Sequence, residues 1–125
     1  MIIGIGTDLL DIKRVNRILE NKHSIFLAKT YTREEHKQAT FSSNSNHYYA
    51  TRFAGKEAIF KTLSIVGNHV NLRDIEILNN EAGIPYVQVS GRIREVGKTM
   101  GIEEFKISFS SDGDYVLAFA IAHSY

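Results

Sequence analysis

Apolar residues recur along the chain with two different periods, and these periods predict the order of its strands and helices. Met1 to Gly6 is a nearly continuous apolar run, which is typical of a strand buried on both faces and places Asp8 at the strand end. From Leu9 to Asn21 the apolar residues follow helical spacing. We therefore predict a first strand followed by an amphipathic helix.

The middle of the chain predicts two further helices. Thr32-Arg33-Glu34-Glu35 has the capping-box pattern, in which threonine and glutamate side chains accept hydrogen bonds from exposed backbone amides. Ser42 to Asn46 interrupts the helix that begins there. The longest helical candidate, His47 to Leu63, is rich in alanine and lacks proline, and the mixed segment Ser64 to Asn71 is expected to form a loop.

The second half of the chain begins with a predicted hairpin. Leu72 to Leu78 alternates like a strand, and Asn79 to Gly83 has the composition of a turn. Pro85 to Val89 is a second short strand, whose proline fits the first position. Arg92 to Met100 is then a helix candidate, which Gly101 ends.

A second hairpin is predicted at the end of the chain. Phe105 to Ser110 and Tyr115 to Ala122 flank Ser111-Asp112-Gly113-Asp114, which is a strong turn pattern. Strands and helices in this mixed order predict an α+β domain, in which a mostly antiparallel sheet packs against the long helix.

Composition narrows the class of protein. A length of 125 residues, with 43% hydrophobic and 23% charged residues, suits one soluble domain over residues 1–125. The chain contains no cysteine, which excludes disulfides and thiolate metal sites. A formal charge of +1 gives little overall attraction for acidic polymers. We expect a cytoplasmic protein with neither nucleic acid nor membrane among its partners.

The long helix carries the first candidate for chemistry. Ala50, Ala54, Glu57 and Lys61 lie along one stripe, and small alanines allow another element to approach closely. Glu57 would then be partly buried and would need a cation. From spacing alone, a simple surface pair between Glu57 and Lys61 is the favoured interpretation.

Asp8 and a set of basic residues on the first predicted helix each have both a functional and a structural interpretation. Asp8 supplies a second carboxylate, and carboxylates with phosphates and waters are the usual ligands of Mg²⁺. Aspartate is also a good helix N-cap. Lys13, Arg14 and Arg17 form a basic face on the first helix, which is either a docking site for an acidic protein or merely solvated.

Taken together, these segments resemble the phosphopantetheinyl transferase family, in its small bacterial type, the holo-acyl-carrier-protein synthases. Arg52-Phe53-Ala54-Gly55-Lys56-Glu57-Ala58-Ile59-Phe60-Lys61 is similar to the family pattern R-F-A-x-K-E-A-x-x-K. Gly4-Ile5-Gly6-Thr7-Asp8 is similar to G-I-G-x-D. Gly83-Ile84-Pro85 resembles the weaker pattern G-K-P. The two stronger motifs stand in the family's order, and the resemblance spans almost the whole chain.

The resemblance implies a function and a set of roles. The protein would transfer phosphopantetheine from coenzyme A to a serine of apo-acyl carrier protein, in support of fatty acid biosynthesis. Asp8 and Glu57 would hold Mg²⁺, and Glu57 and Lys61 would be catalytic. The implied partners are coenzyme A and acyl carrier protein, the latter on Lys13, Arg14 and Arg17, and the implied assembly is a homotrimer with sites between subunits. The residues implied to contact coenzyme A are Arg52, Lys61, Gly83, Pro85, Lys106, Ser108 and Ser110.

The sequence departs from the family at two places. The family commonly reads H-V-S-L-S-H where this chain has Lys106-Ile107-Ser108-Phe109-Ser110-Ser111, so both histidines are replaced. Ile84 replaces the common lysine of G-K-P. An ammonium group can meet a phosphate but cannot share a proton as imidazole does. The first alternative function is therefore a non-catalytic module that binds a carrier protein or a nucleotide. The second alternative is a purely structural protein.

Overall fold

The chain forms two antiparallel sheets that lie against one long helix. The computed structural model describes residues 1–20, 25–64 and 70–125. The strands are β1 (Ile2–Asp11), β2 (Ile75–Asn79), β3 (Pro85–Val89), β4 (Glu104–Asp112) and β5 (Tyr115–His123). The three-stranded sheet has the order β1-β5-β4, and the two-stranded sheet pairs β2 with β3. The predicted α+β class is confirmed.

The four predicted helices are present in their predicted order, and a fifth, at Ile25–Thr30, was not predicted. They are α1 (Ile12–Leu19), α2 (Ile25–Thr30), α3 (Arg33–Phe41), α4 (Ser45–Lys61) and α5 (Gly91–Met100). The capping box that begins α3 is confirmed, because Glu35 N donates to Thr32 Oγ1 at 3.2 Å and Thr32 N donates to Glu35 Oε1 at 2.9 Å. No helix within the three described ranges is long and apolar enough to cross a membrane.

The first strand differs from its prediction in length and in burial. It runs to Asp11, and its outer face is open, with Ile5 62% and Leu9 66% exposed. The prediction of burial on both faces was therefore wrong: α4 covers one face of this antiparallel sheet, and the other face is open. Asp8 consequently lies within the strand, paired with Ala118 of β5, rather than at its end.

The first helix begins three residues later than predicted. Asp11 is its N-cap and accepts a hydrogen bond from Lys13 N at 3.0 Å. Because Asp11 fills the capping position, the alternative assignment of Asp8 as an N-cap is wrong. The predicted end at Asn21 lies outside the described residues, as do residues 65–69 of the predicted loop.

The helix α4 packs unusually close to β1 because both elements are made of small residues there. Ala50, Ala54 and Ala58 are fully buried. A Cβ atom on Gly6 would lie 2.0 Å from the Ala58 carbonyl oxygen, and one on Gly4 would lie 2.2 Å from that of Thr62. A neighbouring element thus approaches α4 closely, as predicted, and near Ala58 and Lys61 that element is β1, the strand that carries Asp8.

Both hairpins are confirmed, with one change of detail. Residues Leu72–Asp74 form a 3₁₀ turn, so β2 begins later than the alternating pattern predicted. Pro85 is the first residue of β3, as expected. The helix α5 ends at Gly101, whose φ of 80° is the left-handed conformation that glycine adopts without strain.

Candidate functional site

Asp8 and Lys61 meet where β1 passes the last turn of α4. Lys61 Nζ donates to the Thr7 carbonyl oxygen at 2.9 Å and lies 3.3 Å from Asp8 Oδ1. The Asp8 side chain is 17% exposed, whereas that of Lys61 is 52% exposed. The Asp8 carboxylate therefore lies largely buried on β1, and the Lys61 ammonium group contacts it from the solvent side.

Glu57 lies one turn before Lys61 on α4 and is half-buried. Burial raises the pKa of the Glu57 carboxyl group above its ordinary value, the nearby Asp8 carboxylate raises it further, and Lys61 lowers it. Among the described ion pairs Lys61 contacts Asp8 rather than Glu57, so the predicted Glu57–Lys61 surface pair does not form. The structure instead groups all three side chains.

The donor set of this group fits a hard divalent cation. Among the described residues, no three His, Cys, Asp or Glu side chains converge as a complete metal site. Asp8 and Glu57 supply a pair of carboxylates that are close enough for one charge to shift the pKa of the other. Mg²⁺ is commonly held by one or two carboxylates together with substrate phosphates and waters. Asp8 and Glu57 therefore suit a Mg²⁺ site in which substrate phosphates and waters supply the remaining ligands.

The buried Lys56 was missed by the sequence analysis. Its Nζ donates to Glu35 Oε1 at 2.7 Å, to the Leu72 carbonyl oxygen at 3.1 Å and to that of Ile75. Ile77 N donates to the other oxygen of the same carboxylate at 3.0 Å. Glu35 and Lys56 are both fully buried and are separated by 21 positions, so helical spacing gave no signal for the pair.

Arg52 also points away from the Asp8 group, toward β2. Its guanidinium donates to the Ile77 carbonyl oxygen at 3.1 Å and to Asn79 Oδ1 at 2.6 Å, and it stacks 4.1 Å above the Tyr48 ring. The side chain is 4% exposed. This geometry gives Arg52 a structural role that joins α4 to the β2–β3 hairpin, and its predicted contact with coenzyme A stays a prediction.

Gly83 lies in the turn of the β2–β3 hairpin that Arg52 supports, and Pro85 is the first residue of β3. Gly83 has a φ of 80°, and its amide donates to the Asn80 carbonyl oxygen at 2.9 Å. Asn79 pairs with Pro85 across the hairpin. The turn is exposed, and a side chain at Gly83 would meet no atom within 4 Å, so the backbone there is open to a ligand.

Lys106, Ser108 and Ser110 lie on the opposite face of the three-stranded sheet from α4. They pair with Ile121, Phe119 and Leu117 of β5. The alternate β5 residues Ala118 and Ala120 face the helix and are fully buried. Within one chain, the structure therefore does not bring these three predicted contacts together with Asp8 and Glu57.

Ser111, which replaces a family histidine, does contact a histidine from another element. His47 Nε2 lies 3.2 Å from Ser111 Oγ and comes from the first turn of α4. The 64 positions between the two residues explain why no motif indicated this contact.

The predicted basic face of α1 is present. Lys13, Arg14 and Arg17 are all exposed, and Val15 is the buried residue of the helix. Lys13 Nζ lies 3.3 Å from Asp114 Oδ2, at the turn of the last hairpin. Asp114 raises the pKa of Lys13, first through a hydrogen bond and then through its charge. Arg14 and Arg17 remain available to a partner.

Known proteins are similar to this chain in both sequence and fold. A holo-[acyl-carrier-protein] synthase from Halothermothrix orenii is 34% identical over 121 residues, which cover 97% of each chain. The structure of the Neisseria meningitidis holo-[acyl-carrier-protein] synthase has a TM-score of 0.85 and 30% identity, and the match covers 99% of this chain and 100% of that one.

A relative has also been solved with a ligand. The Helicobacter pylori holo-[acyl-carrier-protein] synthase in complex with coenzyme A has a TM-score of 0.78 and 25% identity, with 95% of this chain and 99% of that chain covered. Residues 4–120 match the model of the 4′-phosphopantetheinyl transferase superfamily. The match includes both motifs and the Asp8, Glu57 and Lys61 group, and the chain therefore belongs to the 4′-phosphopantetheinyl transferase superfamily.

Proposed function

We propose that this protein is a holo-[acyl-carrier-protein] synthase, which transfers the phosphopantetheine arm of coenzyme A to a serine of apo-acyl carrier protein. The observation that carries the proposal is the grouping of Asp8, Glu57 and Lys61 in a chain of this family. Relatives that match nearly the whole chain carry the same name. We further propose that the reaction supports fatty acid biosynthesis in the cytoplasm, within a single domain of residues 1–125.

Asp8 and Glu57 are the proposed ligands of Mg²⁺. When bound, the ion would neutralise charge on the diphosphate and so favour departure of the nucleotide. The Asp8 and Glu57 carboxylates repel each other when no metal is bound. A divalent cation would offset this repulsion, which favours its binding. The proposal thus draws on the chemistry of the donors.

The chain's own residues have separate proposed tasks in the transfer. The carrier serine hydroxyl attacks the phosphorus that bears the pantetheine arm, its proton is taken up, and adenosine bisphosphate leaves. Glu57 is the proposed proton acceptor, acting directly or through a water molecule that the metal would hold. Lys61, whose ammonium group is half exposed, is placed to contact phosphate oxygens.

The proposed contacts to coenzyme A come from both faces of the sheet. Lys61 lies on the α4 side, whereas Lys106, Ser108 and Ser110 lie on the other side. One chain cannot direct both sets at one nucleotide, so we propose that a second copy supplies the Lys106 set. Gly83, which is exposed, and Pro85 are also proposed contacts to coenzyme A, and Arg52 supports their hairpin through its hydrogen bond to Asn79.

An exposed apolar face supports the proposed homotrimer. Ile5, Leu9, Leu117 and Phe119 lie on one side of β1 and β5, with exposed fractions between 39% and 66%. Contiguous apolar patches of this kind usually mark interaction surfaces. Sedimentation equilibrium tests this point: we expect a mass three times the 14.1 kDa of the chain, and a purely monomeric protein would contradict the assembly.

The carrier protein is proposed to dock on Lys13, Arg14 and Arg17. These side chains form the basic, solvated side of α1, and attraction of an acidic helix to them would depend on ionic strength. Arg14→Glu should therefore raise the KM for carrier protein without changing binding of coenzyme A.

The proposed function is tested by mass spectrometry of apo-acyl carrier protein after incubation with this protein, coenzyme A and Mg²⁺. A gain of one phosphopantetheine mass that a chelator abolishes is the expected result. If a competent carrier gains no mass while carrier and coenzyme A still bind, the protein is a binding module, as the loss of both family histidines at Lys106 and Ser111 would then explain.

A further inference from the structure

A cluster of polar side chains surrounds Glu104 at the start of β4. Lys106 Nζ lies 3.1 Å from Glu104 Oε1. The Tyr125 hydroxyl donates a hydrogen bond to Glu104 Oε2, and His123 Nε2 lies 3.4 Å from that same oxygen. Each carboxylate oxygen therefore has its own neighbours, and only Oε1 faces Lys106.

The strand geometry explains why these side chains meet. Glu104 and Lys106 are two positions apart on β4, so both point to the face opposite α4. His123 is directly opposite Glu104 on β5, and its ring stands edge-on to Tyr125 with a centroid distance of 5.1 Å. The contacts are thus built into the register of the β4–β5 pair.

The two ends of the Glu104–Lys106 pair differ in their freedom. The Lys106 side chain is 62% exposed, whereas that of Glu104 is 33% exposed and also accepts a hydrogen bond from Tyr125. A long, solvated lysine side chain can exchange partners. Glu104 is therefore the less exposed member of the pair, and Lys106 is the one that can turn to another anion.

We propose that Glu104 is a positioning residue that restrains Lys106 and thereby weakens the affinity of this protein for the phosphate groups of coenzyme A. The inference rests on the proposed function, in which Lys106 contacts the nucleotide. An arriving phosphate competes with Glu104 Oε1 for the same ammonium group, and the nearby carboxylate also repels the phosphate. Removal of the charge at Glu104 should consequently strengthen nucleotide binding.

The test compares Glu104→Gln with Glu103→Gln in the full-length protein. Glu103 is the exposed neighbour, and its substitution changes the net charge equally. Isothermal titration with coenzyme A gives Kd, and the transfer assay gives KM and kcat. Because the pair is largely solvated, we expect Glu104→Gln to lower Kd and KM about two- to fivefold with kcat within about twofold, and Glu103→Gln to have less effect.

A double-mutant cycle shows whether the effect acts through Lys106. In a Lys106→Met background, Glu104→Gln should no longer lower Kd. Equal Kd values for Glu104→Gln and Glu103→Gln, or an effect that persists without Lys106, would overturn the proposal. Thermal unfolding checks the fold, and Glu104→Ala serves if the glutamine variant is unstable.

The results separate this inference from the proposed function. If the wild-type protein transfers phosphopantetheine but Glu104→Gln binds coenzyme A as the wild type does, only the inference fails. If no transfer occurs but the cycle shows coupling, the transferase assignment fails while the control of Lys106 by Glu104 holds.

Discussion

Lys56 and Glu57 are neighbours on α4, but the protein surrounds their charges very differently. Lys56 faces α3 and β2, is fully buried, and donates to one carboxylate and two carbonyl oxygens. Glu57 faces β1, is half-buried, and has a pKa raised by burial and by Asp8. The Lys56 charge is thus compensated by groups of the chain itself, whereas the environment of Glu57 favours the binding of an added cation.

Burial alone does not identify a functional charge in this protein. A buried ion whose hydrogen bonds are all made joins elements of the fold, and its removal leaves an uncompensated partner. A partly buried charge beside a like charge remains able to bind something else. The two sides of α4 therefore separate the stability of this protein from its proposed chemistry, and four substitutions test that separation.

The largest effect is expected from Lys56→Met. It would leave the Glu35 carboxylate buried without its cation, so we expect a loss of about 3–5 kcal/mol in the free energy of unfolding. Urea denaturation followed by circular dichroism measures it. Lys61→Met is the matched control and should change stability by less than about 0.5 kcal/mol, since Lys61 is half exposed. Equal losses of stability in both variants would contradict the difference in role between the buried and the exposed lysine.

Glu57→Ala should show the reverse behaviour. We expect more than about a hundredfold loss of transfer rate, because a ligand of the proposed Mg²⁺ is removed, with no loss of stability in the metal-free protein. The carrier mass assay and thermal unfolding measure the two quantities. Glu95→Ala, at an exposed carboxylate of α5, is the control with ordinary activity. Full activity of Glu57→Ala would refute its assignment.

Gly6→Ala changes the spacing between β1 and α4 without altering any charged residue. The new Cβ atom would lie 2.0 Å from the Ala58 carbonyl oxygen, so strand and helix must separate, at a cost of about 1–3 kcal/mol. Transfer should fall further than stability predicts, because Asp8 moves with the strand. Gly97→Ala, whose Cβ would find its nearest neighbour at 3.9 Å, should be neutral or stabilising. Unfolding curves of both variants decide this.

The smallest effect is a pH-dependent one at Glu57. Its folded-state pKa is raised, so the folded protein binds more protons than the unfolded chain above the ordinary value of about 4.3, and stability falls as pH rises through that window. Glu57→Gln removes the penalty and should stabilise the metal-free protein at pH 7 by less than about 1 kcal/mol, given solvent screening.

Two controls accompany the Glu57→Gln measurement. The gain over wild type should vanish when thermal unfolding is repeated below about pH 4, where the carboxyl group is protonated in both states. Mg²⁺ should stabilise the wild type and not the variant. A variant that is less stable than wild type at pH 7 would show that Glu57 is already compensated within the chain.

Local patterns predicted most of the fold, and the misses have a common physical cause. The capping box at Thr32 and the glycine at Gly101 depend on neighbouring residues only, and both were placed correctly. Burial of a strand depends on what lies on each side of it, so the open outer face of β1 could not be read from its apolar run. The same run also concealed the continuation of the strand to Asp11.

The candidate site shows the same division. Asp8, Glu57 and Lys61 were identified through two motifs, and the structure brings the three together. Glu35 was assigned only as a capping residue, and its second role with Lys56 depends on a contact between distant positions. The separation of Lys106 from Asp8 likewise follows from strand register, which the motifs do not contain.

The buried Lys56–Glu35 pair also limits how this protein can evolve. Substitution of either residue alone leaves an unpaired charge in the interior, so neither can change first without a large loss of stability. Even a simultaneous replacement by apolar residues leaves the Leu72 and Ile75 carbonyl groups and the Ile77 amide without their side-chain partners. Mutational drift should therefore be slow at these two positions and should occur, where it does, as a paired exchange accompanied by changes in β2.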